Sequence, residues 1–186
     1  MGAGRRCAAA VVAALAVPAL LGCGGSSKSD LPRTGPIPAH SDLELPPGVP
    51  DRPTGPAADA SRRVINGWLR ALRRGDVRRA AHYFALPSKF QNATPVLIVH
   101  NESERIAINL SLPCGAKAID MGGAGAYTIV TFKLTKRPGA HCGAGVGGTA
   151  RGAIRVEGGK IKEWYRLPDH PGGPQRAPPA PSGPAA

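Results

Sequence analysis

Of 186 residues, 25 are Gly and 20 are Pro, and 24 Lys plus Arg against 12 Asp plus Glu leave a net charge of +12. All eight aromatic residues lie between Trp68 and Tyr165, whereas 15 of the 20 prolines lie in residues 24–57 or 168–186. One core of roughly 110 residues with proline-rich flanks is the expected organisation, and it excludes a multidomain enzyme.

At the amino terminus Arg5 and Arg6 precede an apolar run from Cys7 to Leu21. The run is shorter than the roughly 20 residues a membrane-crossing helix needs, and Pro18 interrupts it, so residues 1–22 read as a signal peptide. The following Leu20-Leu21-Gly22-Cys23 resembles the bacterial lipoprotein signal. That resemblance implies lipid on Cys23 and an extracytoplasmic, membrane-anchored location. A plain secretory signal with an incidental cysteine and an uncleaved anchor are the alternatives. With Cys7 removed and Cys23 acylated, Cys114 and Cys142 are left to pair, and an oxidising compartment favours a structural disulfide between them.

Residues 23–57 carry eight prolines and few apolar side chains, which predicts a disordered tether. Residues 169–186 have the same character and read as a disordered tail. Between them, residues 58–168 form the predicted domain. Asp59 or Ser61 is positioned to cap a helix whose Val64, Ile65, Trp68, Leu69 and Leu72 share one stripe, with Gly75 at its end. Asp76 then caps a second helix bearing Val77, Ala80, Ala81 and Phe84 on one face, stopped by Pro87. Val96–His100 is rich in strand formers. Asn101 with Glu104 forms a capping box for a third helix, yet Ile106, Ile108, Leu110 and Leu112 alternate as a strand would.

Beyond Cys114 the period becomes two. Lys117–Met121, Tyr127–Lys136, Gly148–Glu157 and Lys160–Arg166 read as four antiparallel strands, with turns at residues 122–125 and at Gly158-Gly159. In the second of them Thr128, Val130, Phe132 and Leu134 share one face, and Tyr127, Ile129, Thr131 and Lys133 share the other. Both faces are partly apolar, so helices should cover one side and a pocket or a second subunit the other.

Helix, helix, strand, helix and then an antiparallel meander is similar to the α+β cone of the nuclear transport factor 2 (NTF2)-like superfamily, also called cystatin-like, which includes SnoaL-like cyclases and ketosteroid isomerases. The resemblance rests on residues 68–76 with their Gly75-Asp76 corner, on Tyr83-Phe84-Ala85, and on the closing hairpin of residues 156–164. It implies N-terminal helices packed on a curved antiparallel sheet. Where catalytic members keep a Tyr on the first helix this chain has Trp68, and an indole cannot replace a phenol as oxyanion donor at equal geometry. Where they place an acidic base after the second helix it has residues 89–93, without a carboxylate. Isomerase chemistry therefore does not carry over, and no catalytic residue is assigned.

The predicted domain carries 18 Lys plus Arg against 7 Asp plus Glu. Arg63, Arg70, Arg73 and Arg74 on the first helix and Arg78 and Arg79 on the second form a basic surface, either simply solvated or held against anionic lipid or polymer. Nucleic acid is a poor partner, because no stacking aromatics interleave with these arginines. Residues 143–148 match GxGxxG, but no helix follows to receive a phosphate. No metal-spaced cluster and no cofactor motif stands out. A candidate pocket is lined by Trp68, Tyr83, Phe84, Phe90 and Tyr127, with Asn92 or Asp120 as its polar group.

Three readings of function follow. The first is a lipid-anchored, non-catalytic envelope protein whose cone binds a small apolar ligand or a protein. The second is a SnoaL-like isomerase or cyclase of a polyketide- or steroid-like substrate, with Asp120 or His82 as base. The third is a structural module that forms a homodimer through its sheet face.

Overall fold

The computed structural model describes residues 45–170, which fall within one unit beginning at Ile37. The signal peptide, Cys23, the first part of the tether and most of the tail lie outside the described residues. In chain order the elements are β1 (Gly55–Pro56), α1 (Asp59–Arg73), α2 (Val77–Ala81), β2 (Phe84–Gln91), β3 (Leu97–Val99), α3 (Glu102–Leu110), β4 (Gly115–Ala124), β5 (Tyr127–Thr135), β6 (Thr149–Glu157) and β7 (Lys160–Leu167). The strands form one sheet in the order β1-β4-β5-β6-β7-β2-β3. The sheet is mixed rather than antiparallel, because β2 runs parallel to β7. The fold class is α+β, with helices packed on a curved sheet.

Local chemistry accounts for most of these elements. Ile65, Trp68, Leu69 and Leu72 of α1 are buried on one stripe, as their spacing predicts. The cap differs from expectation: Ala58 occupies the N-cap without a side-chain bond, and Asp59 is the first helical residue, where its charge opposes the positive end of the helix. Asp76 does cap α2, its Oδ1 accepting from the Arg79 amide at 3.1 Å. At α3 the capping box decides between helix and strand. Asn101 Oδ1 accepts from the Glu104 amide at 3.0 Å, while Glu104 accepts from the His100 amide at 2.6 Å.

The predicted second helix is too long. It ends at Ala81, and Phe84 reaches the core from a strand, because the segment to Gln91 finds backbone partners on β7: Phe84 opposite Ile161, and Phe90 opposite Trp164. Long-range pairing outweighs the local helical pattern there. The turn expected at residues 122–125 is also shorter, since β4 continues to Ala124. Gly122 and Gly123 pair with Pro56 and Gly55, and a Cβ at either position would collide with Pro53 or the Pro56 carbonyl. These glycines admit a neighbouring strand instead of turning the chain. Gly158 and Gly159 do form the predicted two-residue turn, both with positive φ.

Residues 45–57, assigned by composition to the tether, pack on the sheet. Leu45 and Val49 contact a cluster of Ala124, Ile129, Ala153, Tyr165 and Leu167 on the convex face. The buried Arg151 fastens this segment, donating to the Asp51 carbonyl and, at 3.1 Å, to the Pro168 carbonyl where the chain leaves the sheet. Part of the second apolar face is thus covered by the chain itself. The opposite, concave face carries the larger core, in which Val130, Phe132 and Ile154 meet the stripe of α1.

A candidate apolar cavity at the open end of the core

The rings of Trp68, Phe84, Phe90, Phe132 and Trp164 pack together in the core. Trp68 meets Phe84 edge-on at 5.7 Å and Trp164 at 6.4 Å, and Phe90 stacks on Trp164 at 4.8 Å. The Trp68 indole donates to Asn109 Oδ1 at 2.9 Å, which fixes α1 against α3 in the interior. Beside them, where the core meets the loop residues Asn92, Leu112, Pro113 and Gly145, lies a cavity of about 130 Å³. Trp68, Leu69 and Leu72 form one wall, Phe132, Leu134, Ala150 and Trp164 the sheet wall, and Leu112, Pro113, Cys114 and Gly145 the rim. Asn92, Arg151 and Arg166 supply the polar residues of the lining. No carboxylate, imidazole or hydroxyl group belongs to the residues that line it.

Of the predicted pocket residues, the structure brings Trp68 and Asn92 to this cavity. Phe84 and Phe90 are core, and Tyr83 is half-buried beside Gly67 of α1. Asp120 lies elsewhere, for a specific reason. The register of β4 on β5 slips between Ala118 and Asp120, leaving Ile119 as an extra residue. The bulge reverses the alternation, so Ala118 and Met121 pack on the concave core while Asp120 is exposed. His82 is exposed on the surface near Glu102, at 3.9 Å.

Tyr127 belongs to a polar cluster on the convex face. Its hydroxyl donates to Glu163 Oε2 at 2.6 Å, and that of Tyr165 donates to the same oxygen at 3.0 Å. Lys89 and Arg155 approach Glu163 Oε1 at 3.6 and 3.4 Å. Sequence inspection missed Glu163 because its partners lie on four strands. Burial pushes the Glu163 pKa up, but the two phenols and two cations outweigh it and the net displacement is downward. Burial first, and the Glu163 bond second, push the Tyr127 phenol from 10.0 to about 12. Both shifts tie stability to pH. A depressed carboxylate stabilises the fold above its unfolded value near 4.5, and that contribution disappears as pH falls through the folded value. A raised phenol stabilises it below 10.0, and the contribution disappears as pH rises toward 12. Denaturant midpoints measured across pH should therefore fall less steeply on the acid side in Glu163→Gln, and less steeply on the alkaline side in Tyr127→Phe. Slopes equal to those of the parent would remove the cluster from the account.

The basic surface is present on the helices. Arg63, Arg70 and Arg74 recur at helical spacing on the exposed side of α1, and Arg78 and Arg79 are exposed on α2. Arg73 departs from that group: it is half-buried, and its guanidinium donates to the Ala116 carbonyl at 2.8 Å. Residues 143–148 form a short 3-10 turn and loop, and Gly145 lies against both sulfurs of the Cys114–Cys142 disulfide. Among the described residues no group of His, Cys, Asp and Glu could hold a metal ion, and no helix is long and apolar enough to cross a membrane.

No family model and no curated protein matches the sequence. Solved structures do. An NTF2-like protein of unknown function from Cytophaga hutchinsonii is similar over 57% of this chain and 88% of its own, at 12% identity and a TM-score of 0.46. An uncharacterised cystatin-fold protein from Novosphingobium aromaticivorans is similar over 56% and 95%, at 13% identity and a TM-score of 0.43. An LEH-like epoxide hydrolase of M. tuberculosis is similar over 58% and 81%, at 16% identity and a TM-score of 0.41. These likenesses concern the fold, and they name no substrate for this chain.

Proposed function

We propose that this protein is a non-catalytic binding module that holds a small apolar ligand in the cavity at the open end of its core, displayed outside the cytoplasm by lipid on Cys23. The observation that carries the binding reading is the lining: apolar walls from α1 and four strands, with no acid–base group among them. The candidate bases of the enzymatic reading, Asp120 and His82, are exposed and do not line the cavity. Support for export comes from Arg5, Arg6 and the run ending in Leu20-Leu21-Gly22-Cys23, and from the Cys114–Cys142 disulfide, a bond that persists in oxidising compartments.

Trp68 and Trp164 wall the cavity, so intrinsic fluorescence reports its occupancy. Cyclohexanemethanol should change the emission saturably, and Ala150→Leu, which fills the cavity, should abolish that response while leaving the circular dichroism intact. In the host, Cys23→Ala should move the protein from the membrane to the soluble fraction. An unsaturable fluorescence response would refute the binding site, and an unchanged membrane fraction would refute the anchor.

A further inference from the structure

We infer that the cavity selects a small carboxylic acid, its apolar body against Trp68 and Trp164 and its carboxylate on Arg166 in place of Asp169. The inference rests on the binding reading above and adds the head group and the size of the ligand.

Arg166 is two residues beyond Trp164 on β7, so both side chains belong to the concave face. The parallel register sets Gln91 opposite Tyr165, which brings Asn92, just past the end of β2, alongside Arg166. Asn92 and Arg166 thus lie together at one end of an otherwise apolar lining, while the Arg151 guanidinium is engaged by Asp51 and Pro168 on the convex face. A guanidinium with a neighbouring amide recognises an acceptor of negative charge, and it repels an amine.

Arg166 lines the cavity, and its guanidinium already holds a carboxylate that is not part of the lining. Arg166 donates to Asp169 Oδ1 at 2.6 Å and to the carbonyls of Arg151 and Leu167 at 3.1 and 3.0 Å. The two partners are unequally exposed: the Asp169 side chain retains 28% of its surface, that of Arg166 13%. Asp169 also follows the last strand and belongs to no regular element. The acid is therefore the exchangeable member of the pair and the arginine the fixed one. The ligand carboxylate keeps the guanidinium paired while Asp169 regains water, whereas a neutral alcohol cannot displace Asp169 and buries its hydroxyl without a charged partner; burial of the apolar body drives binding and Arg166 sets selectivity. The volume, about 130 Å³, is close to that of a cavity that accommodates benzene, which points to a body of about six to eight carbons.

The test uses the full chain and three probes sharing one ring: cyclohexanecarboxylate, cyclohexanemethanol and cyclohexanemethylamine, titrated by tryptophan fluorescence and calorimetry. The acid should bind about tenfold more tightly than the alcohol, and the amine most weakly. Arg166→Gln should erase the preference while retaining the alcohol, and Asp169→Asn should tighten the acid severalfold without moving the alcohol. Because Asp169 is at the surface, its variant keeps the inference testable where Arg166→Gln does not fold. Equal affinity for acid and alcohol would overturn the carboxylate inference and leave the cavity reading intact, whereas no binding of either would overturn both. Acid binding that the alcohol does not compete would assign the acid to the arginines of α1 and α2 and also overturn it.

Discussion

Trp68→Ala is expected to cost about 3–5 kcal/mol in urea denaturation, a large share of the stability of a domain this size. Trp68 is 2% exposed, and its ring meets those of Phe84, Phe132 and Trp164. Truncation would remove the largest side chain that joins α1 to the sheet and extend the neighbouring cavity into the core. It would also leave Asn109 Oδ1, on a residue with no exposed surface, without the indole donor. Trp68→Phe separates the two effects: most of the apolar volume remains, so its cost of about 1–3 kcal/mol comes mainly from the orphaned acceptor. Adding Asn109→Leu to Trp68→Phe should therefore destabilise less than the sum of the two single changes. Strict additivity would show that the buried hydrogen bond has no energetic role, and a cost below about 1 kcal/mol for Trp68→Ala would remove Trp68 from the centre of the core.

The positions where sequence and structure agree share one property: the signal is complete within a few residues. The stripe of α1, the two faces of β5, the Asn101–Glu104 box and the Gly158-Gly159 turn each depend on local spacing, and each forms as that spacing predicts. The disagreements arise where a distant segment decides. Residues 84–91 become a strand because β7 offers backbone partners, and Gly122-Gly123 stays extended because β1 pairs with it. One inserted residue, Ile119, moves Asp120 away from the concave face, and no pattern on β4 alone marks a bulge. The cavity was hard to read for a related reason. Aromatic residues attract attention as pocket walls, yet most of them here fill the core, while the rim is built from Leu112, Cys114 and Gly145. Nothing local marks Arg166 either: the pairing of β2 with β7 is what brings it beside Asn92.

Replacing Cys114 and Cys142 together with alanine is expected to lower stability by about 3.5 kcal/mol, the closure entropy of a loop of about 29 residues. The bond joins the start of β4 to the β5–β6 connection across a sequence separation of 28, and both cysteines are buried. The connection is otherwise tied to β5 by the Leu134 amide on the Gly148 carbonyl at 2.9 Å and the Gly147 amide on the Leu134 carbonyl at 3.0 Å. Those two bonds secure its far end, leaving the disulfide to hold Gly145 at the rim of the cavity. Loss of the bond should therefore act twice, lowering the denaturation midpoint and weakening cyclohexanemethanol binding under conditions where the variant is still folded. The second effect separates a clamp on the site from a general loss of stability, because a destabilising change elsewhere, such as Leu167→Ala on the convex face, should lower the midpoint without altering affinity. A double variant that unfolds early yet binds with parental affinity would show that the disulfide staples the chain without shaping the cavity. One whose midpoint matches the parent would show that the loop is ordered by its backbone contacts alone.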